Sequence, residues 1–288
     1  MNIALAFGPS YVTPARVLLQ SLREFCSPPI RLYLLHCLAD PKPLDSLCLE
    51  FAIQAVHVPP TWFQGLPRLA SHSLEAYLPL CLANSLPDLD RVLFLDADML
   101  CLDDLRTVWN AELGGRVAGA VPDQAIPTFA SARGVKVWKK LGLDPGQSYF
   151  NAGLMLLDLN RWRELDVTAA ALDHLRSHPV DFLHQEALNV VLRNDWQPLE
   201  LRWNVIASLY QRRYSPAALR GLARPGLVHY AGRFKPWRIQ THGRLGEIYR
   251  KRLDRPLEPS WRERALGFYD RFLRDRVYGL EHWFWSQR

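Results

Sequence analysis

The chain has 288 residues, 49% of them apolar and 22% charged, with a formal net charge of +6. That length buries a large core, as one α/β domain or as a domain with a smaller appendage, and the apolar share excludes a disordered chain. The charge is uneven: residues 233 to 288 carry 14 Lys or Arg against 7 Asp or Glu, while residues 1 to 232 hold 21 against 22. A positive excess confined to one end points to an anionic surface, lipid or nucleic acid, as a partner of that end. The 5 cysteines, Cys26, Cys37, Cys48, Cys81 and Cys101, are odd in number and lack C-x-x-C spacing, which argues against a disulfide framework and a zinc site. Met1 to Phe7 shows neither a basic leader nor a signal-length apolar stretch, and no apolar run reaches the roughly 20 residues that span a bilayer. The expectation is a cytoplasmic protein.

Met1 to Phe7 is predicted as a first strand. A helix from about Pro14 to Phe25 and a strand over Ile30 to Leu35 follow, in the βαβ rhythm of a parallel sheet. Further short apolar segments lie at Phe51 to Val58, Arg91 to Leu95 and Val117 to Val121. Ser73 to Ala83 has helical character that Pro79 would break or kink. Phe150 to Leu159 has the pattern of a buried strand, Leu172 to Leu175 and Glu186 to Leu192 fit helices, and Leu227 to Tyr230 is a last short strand. The chain shows no internal repeat and no low-complexity stretch.

The run Arg91-Val92-Leu93-Phe94-Leu95-Asp96-Ala97-Asp98 is the most informative feature. A buried strand that ends in two carboxylates delivers charge to the carboxyl edge of the sheet, where open α/β sheets bind ligands. Two carboxylates this close repel each other, and a divalent cation between them relieves the repulsion. An Asp-x-Asp turn that merely caps the next element is the competing reading. Likewise, His229 alone is compatible with a core histidine, Gln185 with a helix-start residue and Lys235 with a solvated charge.

From Trp261 the pattern changes. Trp261, Ala265, Phe268, Phe272 and Leu280 fall near helical spacing among five arginines, and the tail ends in Trp283-Phe284-Trp285. This suits an amphipathic helix at an anionic membrane interface, and it also suits a helix packed on the domain surface or at a dimer face. No nucleic-acid motif accompanies the charge, so nucleic acid is not expected as a partner.

Taken in order, Leu93 to Asp98, Tyr149-Phe150-Asn151-Ala152-Gly153 with the strand after it, Leu183-His184-Gln185-Glu186-Ala187-Leu188-Asn189, and His229-Tyr230-Ala231-Gly232-Arg233-Phe234-Lys235-Pro236-Trp237 resemble glycosyltransferase family 8. The tract Asp158 to Arg163 matches the family's habit as well. The resemblance covers residues 1 to about 240 and implies a GT-A fold: an α/β, Rossmann-like nucleotide-diphospho-sugar transferase with a mainly parallel central sheet. Residues 241 to 288 would then form a basic, aromatic helical extension. The implied activity is transfer of a hexose, galactose or glucose, from a UDP-sugar with retention of configuration, as in lipopolysaccharide or capsule synthesis. The acceptor would be a glycan or lipid-linked saccharide, and the tail would give peripheral contact with the inner face of an anionic membrane.

The resemblance also implies a site. Asp96, Asp98 and His229 would hold Mn²⁺, with Mg²⁺ as the alternative; a mixed carboxylate and imidazole set suits Mn²⁺. Lys235 would add positive charge at the departing diphosphate, and Gln185 would stand near the anomeric carbon. The donor would lie against Ala6, Tyr11, Asp96 and Ala97, with its phosphates near Gly232 and its sugar against Asn151, Ala152, Gly153 and His184. Three positions depart from the pattern: Gly8 where an acidic residue is usual, Pro79 where an arginine is usual, and His184 where a carboxylate is usual. The implied protein therefore has an intact metal site with altered nucleoside and sugar contacts.

Three other readings compete. A dehalogenase-like phosphatase also ends a strand in Asp-x-Asp, but on its first strand and followed by Thr or Val, unlike Met99-Leu100 here. A nucleotidyltransferase needs a glycine-rich loop that Gly8-Pro9-Ser10 does not supply. A degenerate family member that binds nucleotide or glycan without turnover is the non-enzyme alternative.

Overall fold

The structure is a computed structural model that describes residues 1–67, 73–210, 222, 224–232, 234–238 and 243–253. The tail from Trp261 and most of the segment 208–224 lie outside the described residues. Seven strands, β1 (Asn2–Ala6), β2 (Arg31–His36), β3 (Ile53–His57), β4 (Arg91–Leu95), β6 (Ala118–Pro122), β7 (Phe150–Asp158) and β8 (Trp196–Pro198), make one sheet. Its order is β3-β2-β1-β4-β7-β6-β8. Six strands run in one direction, and β7 alone is reversed, antiparallel to both β4 and β6. A second, three-stranded sheet joins β5 (Met99–Cys101), β9 (Val205–Ile206) and β10 (Leu227–His229).

Helices cover both faces. On one side lie α1 (Val12–Phe25), α2 (Lys42–Phe51) and the short α4 (Arg106–Trp109). α1 presents Ala15, Leu18, Leu19 and Leu22 to the sheet, the i, i+3, i+4, i+7 stripe of an amphipathic helix. On the other side lie a 3-10 helix (Leu74–Cys81), α3 (Leu82–Ser85), α5 (Leu159–Glu164), α6 (Val167–Ser177) and α7 (Leu183–Val191). Pro79 sits inside the 3-10 element, and α geometry begins only at Leu82, because proline has no N–H to donate and its ring clashes with the preceding turn. Asp158 ends β7 and caps α5, its Oδ1 accepting the Arg161 N–H at 3.0 Å.

The apolar run from Phe51 splits into two states: Phe51 closes α2, Ala52 takes a left-handed turn (φ +53°), and the strand begins at Ile53. Beyond residue 240, α8 (Gly243–Arg250) packs Tyr249 against Tyr230 and Trp237, with ring centroids at 4.8 and 5.6 Å. No helix among the described residues is long and apolar enough to cross a membrane. All 5 cysteines are free thiols.

Candidate active site

The site forms at the carboxyl edge of the large sheet. β4 ends at Leu95 and the chain turns, yet Asp96 stays tied to the sheet because its N–H donates to the Gly153 carbonyl at 2.8 Å. The next residues form β5, which pairs antiparallel with β10 so that Met99 faces His229. The Tyr230 N–H donates to the Asp98 carbonyl at 2.9 Å. The small sheet thus carries His229 to the two carboxylates: its Nε2 lies 3.5 Å from Asp96 Oδ2 and 3.3 Å from Asp98 Oδ1. One ligand atom from each of Asp96, Asp98 and His229 falls within 4.8 Å of the other two.

Second contacts orient this set. His229 Nδ1 lies 3.0 Å from Asn204 Oδ1, an acceptor only, so Nδ1 carries the hydrogen and Nε2 faces the carboxylates. Asn204 in turn donates through Nδ2 to Asn151 Oδ1 at 2.9 Å. A buried imidazole aimed by its other nitrogen at two oxygens is the arrangement of a metal-binding histidine, and the donor set fits a divalent cation. Gly153 is required by proximity: a Cβ there would stand 2.5 Å from His229 Cε1 and 2.9 Å from Asp96 Oδ2.

The electrostatics are those of a strained pair. Burial and the neighbouring Asp98 charge push the Asp96 carboxyl up to about 6. Burial also opposes the charge on Asp98, but Lys235 and His229 outweigh it and hold that carboxyl below the usual range. Burial opposes the charge on His229 too, yet Asp98 and Asp96 keep the ring above its ordinary value. Lys235 is buried, its Nζ donating to Asp98 Oδ2 at 2.5 Å and to the Tyr230 carbonyl at 2.9 Å, and Asp98 overcomes the burial penalty to raise its pKa. The ammonium therefore holds one of the two carboxylates that could bind a cation. Three residues before Lys235, Gly232 takes φ +88°, a left-handed turn that favours glycine.

β7 enters the same edge by its amino end, which places Asn151 beside Asp96. Asn151 donates through Nδ2 to Asp123 Oδ2 at 2.9 Å and accepts the Gly153 N–H on Oδ1 at 3.0 Å. Gln185, in the first turn of α7, accepts the Ala152 N–H on Oε1 at 3.0 Å and donates through Nε2 to Asp123 Oδ2 at 3.3 Å. Ala152 is wholly buried, so its part here is that backbone bond. Asp123 completes its own set by accepting the N–H groups of Ala125 and Ile126 at 2.8 and 2.9 Å. His184 is half-buried in the same helical turn, Ala97 is buried between the two aspartates, and Ala6 ends β1. Tyr11 stands at the amino end of α1, with Lys235 Nζ 5.9 Å from its ring centre and the Trp237 ring packed edge-on at 5.9 Å. Burial and the Asp98 charge raise its phenol.

Asp123 and Asn204 join the hydrogen-bond network of the candidate site, and the sequence did not single them out. Asp123 carried a usable signal, since Ala118 to Pro122 is an apolar strand ending in a carboxylate, as β4 does. Asn204 carried none.

The family model of glycosyl transferase family 8 matches residues 2–241. The chain belongs to glycosyltransferase family 8. General stress protein A of Bacillus subtilis (strain 168) is 26% identical over 215 residues, 69% of this chain and 72% of that protein. The lipopolysaccharide 1,2-glucosyltransferase of Escherichia coli (strain K12) is 29% identical over 162 residues, 52% of this chain but only 44% of its own length. Among solved structures, the galactosyltransferase LgtC in complex with donor and acceptor sugar analogues matches with a TM-score of 0.74 at 23% identity, over 90% of this chain and 98% of that one. That likeness establishes the GT-A fold for this member of family 8.

Proposed function

We propose that this glycosyltransferase is a retaining, Mn²⁺-dependent enzyme that moves galactose or glucose from a UDP-sugar to a glycan or lipid-linked saccharide. The observation that carries the reading is the convergence of His229 Nε2 with Asp96 and Asp98 at the carboxyl edge of the sheet, in a chain of this family. The names of two similar proteins, a lipopolysaccharide glucosyltransferase and a galactosyltransferase solved with sugar analogues, support a hexose and a cell-surface glycan.

The bound cation would act as Lewis acid for the leaving diphosphate. Lys235, which neutralises Asp98 in the free protein, would offer its positive charge to the diphosphate of a bound donor. Asn151 and Gln185 are held by Asp123 in one orientation, which suits positioning of the donor sugar. An amide is a poor nucleophile, so attack from the leaving-group face fits best, with the departing phosphate taking the acceptor proton and the Gln185 oxygen stabilising positive charge at the anomeric carbon. The acceptor side we assign to the loops 122–146 and 208–224, the second mostly outside the described residues. Glu186, wholly buried, fastens the first to α7 by accepting the Lys136 N–H at 3.2 Å, and its other oxygen accepts the Asp181 N–H at 3.0 Å.

Titration of UDP into the purified protein with and without Mn²⁺, followed by turnover assays with UDP-galactose and UDP-glucose, tests the reading. Metal-dependent UDP binding and hexose transfer are expected. Binding without turnover of either sugar would favour the degenerate alternative, and no binding would overturn the assignment. The basic, aromatic segment 261–288 we assign to the anionic inner face of a membrane, on composition and spacing. Truncating it should weaken binding to phosphatidylglycerol vesicles; unchanged binding would remove that role.

A further inference from the structure

Gly8 is a glycine without a conformational reason. Its backbone is extended (φ −100°, ψ −177°), a shape any residue adopts. What it lacks is room: a Cβ at Gly8 would lie 2.6 Å from Glu75 Oε1 and 3.0 Å from its carboxyl carbon. The neighbouring side chains are small as well: Ala4 and Ala6 of β1 belong to the same apolar cluster as Tyr77 and Leu78 of the 3-10 helix that bears Glu75. β1 and β2 pair in register as far as Ala6 and Leu35, and Gly8 and Cys37 each lie two residues further along their strands' exits. The Cys37 thiol is pushed up to about 11 by burial and by the Glu75 carboxylate beside it. Glu75 itself stays half-buried, with access to solvent.

The carboxylate therefore sits over the ends of β1 and β2, one to two strands from the aspartates that follow β4. At about 4.8 Å per strand this is roughly 5 to 10 Å along the sheet edge. Tyr11 bridges the interval, since its N–H donates to the Gly8 carbonyl at 3.0 Å while its ring meets Lys235. A nucleoside diphosphate with its phosphates at the aspartates would run its ribose along Tyr11 and bring its base to Glu75.

We propose that Glu75 selects the base of the donor nucleotide, its carboxylate accepting the ring N–H of uracil. This rests on the nucleotide-sugar reading above. The chemistry is discriminating because cytosine has the same size and shape but presents a ring-nitrogen lone pair at that place, which a carboxylate repels. Guanine also offers a ring N–H, on a larger base.

The test is calorimetric titration of UDP, CDP and GDP into the full chain with Mn²⁺. The wild type should prefer UDP to CDP by about 10- to 100-fold, the range of one charge-assisted hydrogen bond. Glu75→Gln, nearly isosteric, should bring that ratio close to one. The double variant Glu75→Ala with Gly8→Asp, which returns a carboxylate to the same volume from β1, should restore it. A UDP to CDP ratio unchanged in Glu75→Gln overturns this proposal and leaves the nucleotide-sugar reading standing; tighter binding of GDP than UDP replaces uracil with guanine as the base and overturns it as stated. Failure of the wild type to bind any of the three defeats the underlying reading as well.

Discussion

The side-chain oxygen of Asn204 accepts the Nδ1 hydrogen of His229 at 3.0 Å, and this bond decides which ring nitrogen faces Asp96 and Asp98. Loss of such an outer contact typically lowers metal affinity about 10- to 100-fold. Asn204→Leu is expected to weaken Mn²⁺ binding by that amount, measured by electron paramagnetic resonance of the free ion, with the fold retained by circular dichroism. Unaltered affinity would mean that packing alone aims the imidazole.

Asp123 Oδ2 accepts from both Asn151 and Gln185. In Asp123→Asn one orientation of the new amide sets its NH₂ against two donors, and the other removes the acceptor from Ala125 and Ile126. A loss of about 1–3 kcal/mol of stability follows from the unmet groups. Because Gln185 loses its anchor while the metal ligands keep theirs, kcat for sugar transfer should fall at least about tenfold with UDP affinity within about threefold of wild type. Equal losses in both would place Asp123 in donor binding instead.

Gly153 leaves no space for a methyl group between His229 and Asp96. Gly153→Ala should cost about 1–3 kcal/mol, read by urea unfolding, and should abolish tight Mn²⁺ binding because relief requires the imidazole or the carboxylate to move. Wild-type metal affinity in this variant would show that the edge of the sheet is more compliant than its packing implies.

His174 lies on α6, buried, with its ring stacked on His178 at 4.8 Å and its Nε2 without a hydrogen-bond partner. Burial, and then the nearby His178, lower its pKa from 6.5 to about 4. Between those values the unfolded chain binds a proton that the folded chain refuses, so stability is full above pH 6.5, declines as pH falls and levels off below about 4. His174→Phe should flatten the melting temperature over that window relative to wild type. Parallel pH profiles for the two proteins would exclude His174 as the source of the decline.

Much of the site was legible in the residues. A strand of four apolar residues ending in Asp96 and Asp98 announces charge at a sheet edge, because strand burial and strand termination are local properties. The helical stripe of α1, the break at Pro79 and the basic tail composition are local in the same sense. Four motifs in order were enough to indicate the family, and the matched span of residues 2–241 agrees with them.

What only the tertiary structure decided is direction and company. An apolar strand pattern has the same period either way round, so nothing in Phe150 to Asp158 states that β7 runs against its neighbours; that reversal puts its amino end, with Asn151 and Gly153, beside Asp96 rather than at the far edge. Nor does His229 or Lys235 reveal its partner locally: Lys235 and Asp98 are 137 residues apart in the chain, and the antiparallel pairing of β10 with β5 brings them together. The small size of Gly8 was visible from the start. That its missing side chain makes room for the Glu75 carboxylate depends on a helix laid across the sheet by packing, which no local pattern encodes.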